Sequence, residues 1–241
     1  MLIDTHCHVD QFSDPEALVA KCEAANVKVV AVTNLPSHYG IALPHLSNSK
    51  HVYPAMGFHP LSVTNNSGEL RIFEKYASEA KFIGEIGLDF SKVGLPTRQQ
   101  QEEIFDSLLS VLRKFSGFVT LHSRGAEREV LEGLKRHRIC KACFHWYSGG
   151  IRVLEEILSC GYFISINPAM LGTQKGKKIL DIVPPTQLLA ESDGPYAKLN
   201  RKPCSPLDVV DVYQAISRRH QLGPDEVDHM LEGNFRRASN K

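Results

Sequence analysis

Short apolar runs recur along the chain at fairly even intervals, and each gives way to polar residues near its C-terminal end. They are LIDTHCH (2–8), VKVVAVTN (27–34), VYPAMGFH (52–59), FIGEIGLD (82–89), GFVTLHS (117–123), ACFHWYS (142–148), YFISIN (162–167) and LLAESDG (188–194). Apolar on both faces over most of their length, they read as buried parallel strands rather than half-solvated antiparallel ones. Helical stretches lie between them. Asp14 and Pro15 provide an N-cap and a first-position proline for a helix over 15–25. A stripe of Ile104, Phe105, Leu108, Leu109, Leu112 and Phe115 marks one face of a helix over 96–115. Further helices fit 69–80, 125–137, 150–159, 174–183 and 206–220, and Pro224 opens a last one. The polar stretch from Pro195 to Pro206 reads as a surface loop.

Alternating strands and helices without a linker predict one α/β domain over 1–241, a (β/α)8 TIM barrel with one or two irregular strands. An open doubly wound sheet is the alternative. A barrel makes a demand: functional residues should sit at the C-terminal ends of the strands.

Composition narrows the picture modestly. A chain of 241 residues suits one such barrel, and 42% apolar with 23% charged residues excludes a disordered chain. Lys and Arg number 28 against 27 Asp and Glu, so any nucleic-acid binding must come from local charge. No apolar run approaches the ~18 residues of a membrane span, and no basic-then-apolar leader opens the chain, so the cytoplasm is expected. Six cysteines without small-domain spacing read as reduced thiols.

The strand ends meet the demand. His6 and His8 end the first run, His59 the third, His122 the fifth and Asp193 the eighth, with Glu85 in the fourth and His145 near the end of the sixth. With His6 and His8 inward, Asp4 faces inward too; with Asp193 inward, so does Glu191 one layer deeper. A buried acid needs a partner. Asp4 and Glu191 are therefore either groups that orient metal-bound histidines or ordinary hydrogen-bonded core acids.

His6, His8, His122 and His145 with Glu85 and Asp193 are too many donors for one tetrahedral ion. They suit two divalent ions with a bridging carboxylate and a bound water. Such a pair, roughly 3.5–4 Å apart, clamps the attacking and leaving oxygens of an in-line displacement and brings a bound water's pKa to about 7. Nitrogen and oxygen donors without thiolate fit Zn²⁺ or Mn²⁺, or Mg²⁺ where carboxylates dominate. A lone strand-end histidine is ordinarily a hydrogen-bonded core or rim residue; metal-type residues at several strand ends are not explained that way.

IDTHCH, GFHP, EIGLDF, LHSR, FHWYSGG, ISINP and ESDGPY, followed by GNFRRA near the end, occur in an order and spacing that resemble the TatD-type metal-dependent deoxyribonucleases. These are amidohydrolase-like TIM barrels. The resemblance implies that His6 and His8 are the family's paired histidines, Glu85 its bridging acid and Asp193 the acid that binds metal and orients or deprotonates the water. It implies that His122 and His145 hold a second ion, that His59 lies by the scissile phosphate, and that Arg124 is the basic residue after the fifth-strand histidine, with a fork suited to phosphate. It also implies a DNA substrate, trimmed from single-stranded or frayed ends in the 3′ to 5′ direction. Phe58, Trp146 and Tyr147 are candidates to stack on bases, against ordinary packing under loops.

The chain departs from many relatives at Asn200, Arg201, Lys202 and Pro203, where an Arg-Asn-Glu-Pro sequence is common; one acid is lost and one base gained. It also lacks a proline before the fifth strand. More narrowly, it is similar to the TatD-type subunit of Qat anti-phage defence systems, which implies an ATPase and a QueC-like protein as partners.

Other signals are weaker. Cys140 and Cys143, with His137 upstream, lack the further ligands of a zinc site and the helix N-terminus of a redox pair. Cys7 should pack outward between strand and helices. The run Lys175, Lys177 and Lys178, like Arg236 and Arg237, is either a solvated face or a DNA-backbone contact. Beside the nuclease reading stand a hydrolase of a small amide or ester on the same barrel, and a defence-complex subunit active only with its partners.

Overall fold

The computed structural model describes residues 1–64 and 68–239. Eight parallel strands run in sequence order around a nearly closed barrel. They are β1 (Ile3–Cys7), β2 (Lys28–Val32), β3 (Val52–Phe58), β4 (Phe82–Gly87), β5 (Phe118–His122), β6 (Cys143–Phe144), β7 (Phe163–Ile166) and β8 (Leu188–Ala190). Between β8 and β1 the closure is made at the mouth, where Asp193 N donates to His6 O (2.9 Å) and His8 N to Gly194 O (2.8 Å). The barrel expectation therefore holds and the open sheet does not.

The helices follow the apolar stripes. Helix α1 (Pro15–Ala24) starts as predicted, with Asp14 Oδ1 accepting from Ala17 N at 2.9 Å. Helix α4 (Arg98–Val111) buries Phe105, Leu108 and Leu109 against the strands. Also placed are α3 (Glu69–Tyr76), α5 (Glu127–His137), α6 (Ile151–Ser159), α8 (Gln174–Ile182), α9 (Val209–His220) and α10 (Pro224–Ser239). Two helices were not expected. In α2 (Pro36–Leu46), the internal Pro44 and the absence of an acidic first turn hide the helix from sequence patterns. The other, α7 (Pro168–Leu171), is a single turn capped by the Asn167 side chain.

Strands β6 and β8 are shorter than the apolar runs 142–148 and 188–194 predict. The chain leaves the sheet to enter the mouth, with Trp146 at φ +37° and Asp193 at φ +45°. The expected surface loop 195–206 contains a small antiparallel hairpin, β9 (Lys198–Leu199) and β10 (Lys202–Pro203).

Alternation layers the barrel interior. Phe118, Cys143, Phe163 and Leu189 form an apolar floor, sealed by Phe235 and Ala238 of α10. One and two pleats higher on the same faces come Thr120 and His122, His145, Ser165 and Asn167, then Glu191 and Asp193. Cys7 packs with Val9, Leu18 and Cys22 on the outer side of β1, as expected. Gly87 (φ +144°) is where β4 meets β5 most closely; a Cβ there would sit 1.9 Å from His122 O.

Candidate active site

The strand ends surround a cavity of about 600 Å³, lined among others by His8, His59, Glu85, Asp89, His122, Arg124, His145, Trp146, Asp193 and Tyr196. Glu85 is its hub. Oε1 lies 2.5 Å from His122 Nδ1 and 2.7 Å from His145 Nε2. Oε2 lies 3.1 Å from His8 Nε2 and 3.6 Å from His6 Nε2. Asp193 Oδ1 stands 3.8 Å from both His6 Nε2 and His8 Nε2. One carboxylate thus gathers five histidines, His122 and His145 on Oε1 and His6, His8 and His59 on Oε2, and Asp193 joins the His6 and His8 side.

The ring nitrogens turned away from Glu85 show which lone pairs are free. His6 Nδ1 meets Thr120 Oγ1 at 2.8 Å, and His6 Nε2 is buried with no hydrogen-bond partner. His122 Nε2 meets Asp89 Oδ2 at 2.8 Å, a contact that would keep a proton on Nε2 and leave Nδ1 for a metal ion. His145 Nδ1 lies 3.7 Å from Glu191 Oε1. His6 and His122 are thus braced on one nitrogen and offer the other inward, as metal-bound imidazoles require, while His145 Nδ1 has Glu191 nearby without a hydrogen bond.

Three groups bring donor atoms within 4.8 Å of one another: His6, His8 and Asp193; His6, Glu85 and His145; His59, Glu85 and His122. Buried, unpartnered nitrogen beside paired carboxylates fits a binuclear divalent metal site. His59 is the exception. Its Nδ1 accepts from Leu61 N at 3.1 Å, and burial lowers its pKa to about 3, so the neutral ring carries its proton on Nε2, 3.6 Å from Glu85. A protonated Nε2 donates a hydrogen bond and does not ligate.

Charges in the mouth are strongly coupled. Burial favours a neutral Glu85, but His145 and then His59 and His122 overcome it and hold the carboxyl well below its usual range. Burial likewise opposes the charge on His122 and His145, and Glu85 outweighs it, so both are raised. Asp193 is pushed up by burial to about 7.

The two inward core acids differ in their partners. Asp4 touches no imidazole: it accepts from His6 N (3.1 Å), Ser192 N (2.9 Å) and Ser192 Oγ (2.5 Å), tying β1 to the end of β8. Burial raises it to about 8. It is a core acid, and the residue that orients His6 is Thr120. Glu191 does face His145, while also accepting from Trp146 N (2.9 Å), Asn167 Nδ2 (3.1 Å) and Ser165 Oγ.

Phe58 and Tyr147 are only 1% exposed and pack in the core, so neither presents a face to a ligand. Trp146 does line the cavity. Cys143 is buried against Ser165 Oγ (3.4 Å) and Cys140 is exposed; His137 bonds Asp106 at 2.7 Å, so no site forms there. Arg236 pairs with Glu232 and Arg237 with Asn234 on α10, which contributes to the barrel floor, away from the mouth. Two mouth residues have no counterpart among the sequence expectations. Asp89 ends EIGLD and is held by Ser91 N (2.8 Å); its position four residues after Glu85 was the available signal. Tyr196, in DGPY, is 52% exposed and stands edge-on to His8 at 4.9 Å. No helix among the described residues is long and apolar enough to cross a membrane.

A family model for TatD related DNase matches residues 3–240, and the chain belongs to that family. It is 30% identical to human deoxyribonuclease TATDN3 over 80% of this chain and 78% of that one. It is 27% identical to the 3′-5′ ssDNA/RNA exonuclease TatD of Citrobacter rodentium over 80% of this chain and 77% of the other. The crystal structure of the TatD homologue YJJV from Escherichia coli K12 superposes with a TM-score of 0.89 at 26% identity, covering 100% of this chain and 98% of that one.

Proposed function

We propose that the chain is a cytoplasmic metal-dependent deoxyribonuclease that trims single-stranded or frayed DNA ends in the 3′ to 5′ direction. The observation that carries it is the gathering of five histidines around the two oxygens of Glu85. His6, His8, Asp193 and Glu85 Oε2 would hold one divalent ion (Zn²⁺, Mn²⁺ or Mg²⁺), and His122, His145 and Glu85 Oε1 the other. Metal held by these residues would supply a water of lowered pKa and positive charge against phosphate oxygens.

The chain's own groups do the rest. Asp193, on the His6 and His8 side of the cavity, is placed to orient the attacking water and take its proton. His59 donates its Nε2 proton as a hydrogen bond to a phosphate oxygen. Arg124 lines the cavity and, among the described residues, has no ion-pair partner; its fork matches phosphate rather than an amide. Trp146 and Tyr196 offer ring surfaces to bases. A mouth ringed by loops admits a strand end more readily than the middle of a duplex.

The test is metal-reconstituted protein with end-labelled single-stranded and duplex DNA and with acyl substrates, beside Asp193→Asn. Loss of DNA cleavage by about 10²–10⁴-fold in the variant is expected. Intact DNA under all three metals, with an acyl substrate cleaved, overturns the reading. The whole-chain resemblance to the Qat subunit supports a defence role with an ATPase and a QueC-like protein. Co-elution of both with the tagged chain, or cleavage seen only in their presence, tests that extension; elution of the chain alone, with activity unaffected by them, removes it.

A further inference from the structure

The charge around the mouth is lopsided. Residues 167–180 and 194–204, which follow β7 and β8, contain Lys175, Lys177, Lys178, Lys198, Arg201 and Lys202 and no Asp or Glu. All six are exposed, and among the described residues none has an ion-pair partner. Exposed cations on other faces include paired ones, such as Arg98 with Glu102, Arg128 with Glu156 and Arg219 with Asp181, and scattered ones without an ion-pair partner among the described residues, such as Lys50, Lys81 and Lys114 at the N-terminal ends of the strands; what sets the two mouth segments apart is six cations with no acid among them. The segment after β1, beside β8, carries Asp10, Asp14 and Glu16 and no base, and so bounds the basic region on that side.

This basic region is built onto the cavity. Ala197 N donates to Asp193 O at 2.9 Å and Cys204 N to Ala197 O at 2.8 Å, so the β9–β10 hairpin rises directly from Asp193. Its tip, Asn200 and Arg201, holds positive φ and stands exposed. The hairpin packs on α7, and α7 packs on the start of α8. There Lys175 Nζ donates to the carbonyl of Ser148, a residue of the cavity wall. Lys178 lies one turn further on the same face of α8. Basic residues therefore stand on two neighbouring elements beside the cavity, the hairpin and the start of α8.

We infer that these two elements form a track for the backbone of single-stranded DNA beyond the scissile bond, with the hairpin as its principal contact. The inference rests on the nuclease reading of the cavity. Unpaired cations set along a groove edge are what a flexible polyanion binds through counterion release, and they need no base readout. The track also accounts for selectivity that a net charge of +1 cannot: affinity should grow with strand length, and not with the size of the group cleaved.

The experiment is anisotropy of a labelled, hydrolysis-resistant phosphorothioate strand of about twelve nucleotides, titrated with metal-loaded protein from about 50 to 200 mM salt. Triple replacement Lys198→Ala, Arg201→Ala and Lys202→Ala should weaken binding roughly tenfold and lower the salt slope by about 2, at ~0.7 for each phosphate that is no longer neutralised. Lys50→Ala, Lys81→Ala and Lys114→Ala, which removes equal charge from the N-terminal ends of the strands, should change neither. Equal effects of the two triples, no effect of the first, or no binding by the wild type overturns the track. Hydrolysis of a dinucleotide, too short to reach the hairpin, tests the nuclease reading separately. Strand binding along the track without that hydrolysis would remove the reading and leave the track.

Discussion

His145 Nε2 lies 2.7 Å from Glu85 Oε1, although 60 positions separate them in the chain. The same oxygen meets His122 Nδ1 at 2.5 Å, while the other oxygen faces His6 and His8. The carboxylate is the point where β1, β4, β5 and the end of β6 converge, so changes in its surroundings are readable as changes in metal affinity.

Asp89→Ala removes the acceptor that would keep a proton on His122 Nε2. Loss of such a brace weakens metal binding by about 10–100-fold. One of two ions should be lost selectively, read as a drop from two to one in metal stoichiometry under a competing chelator. Unchanged stoichiometry and affinity would sink the assignment of Asp89.

Without metal the site should respond to pH in a defined direction. Glu85, against the opposing effect of burial, raises His122 and His145 above 6.5. Their contribution to stability is present below pH 6.5 and lost as pH rises through the raised values. Asp193 (about 7) and Asp4 (about 8), raised by burial, lose stability in the same sense. The chelated protein should therefore melt at a lower temperature at pH 8 than at pH 6.5. Metal-loaded protein should show the opposite slope, because ions require deprotonated donors. Parallel melting profiles with and without chelator would contradict this.

Tyr196→Ala removes an exposed ring that stands over His8. Stacking on a base is worth about 1–3 kcal/mol, so KM for single-stranded DNA should rise about 5- to 150-fold with kcat little altered. Tyr196→Phe should restore the wild-type KM if the ring face is what matters. A kcat loss in both variants would instead place the hydroxyl in the chemistry.

Glu23 accepts from Lys50 N, His51 N (both 2.9 Å), His51 Nδ1 (2.8 Å) and Ser49 Oγ, pinning the turn into β3. Its slight burial is outweighed by these donors, which lower its pKa to about 2. The stability it adds is present above pH 4.5 and lost as pH falls toward 2. Glu23→Gln should cost about 1–3 kcal/mol near neutral pH and flatten the acid limb of stability, both measurable by denaturant unfolding. An unaltered acid limb would place the acid sensitivity elsewhere.

What the sequence determined by itself was the order of strands, the parity of each face, and hence which residues reach the mouth. These follow from local chain geometry: alternation fixes the side of a strand, and eight units of similar length close a barrel. Cys7 outward and His6 inward needed no more than that. The tertiary structure decided the partnerships. Asp4 and Glu191 share inward parity, yet only Glu191 faces an imidazole, because Asp4 is taken up by the backbone at Ser192. Phe58 and Tyr147 look like Trp146 in sequence but are covered by packing. Asp89, Thr120 and Tyr196 acquire roles only through neighbours on other strands, and the basic hairpin and α8 come to the same side of the barrel because both pack on α7. Pairings between distant segments depend on register and on where short strands end, and neither is written in a local pattern.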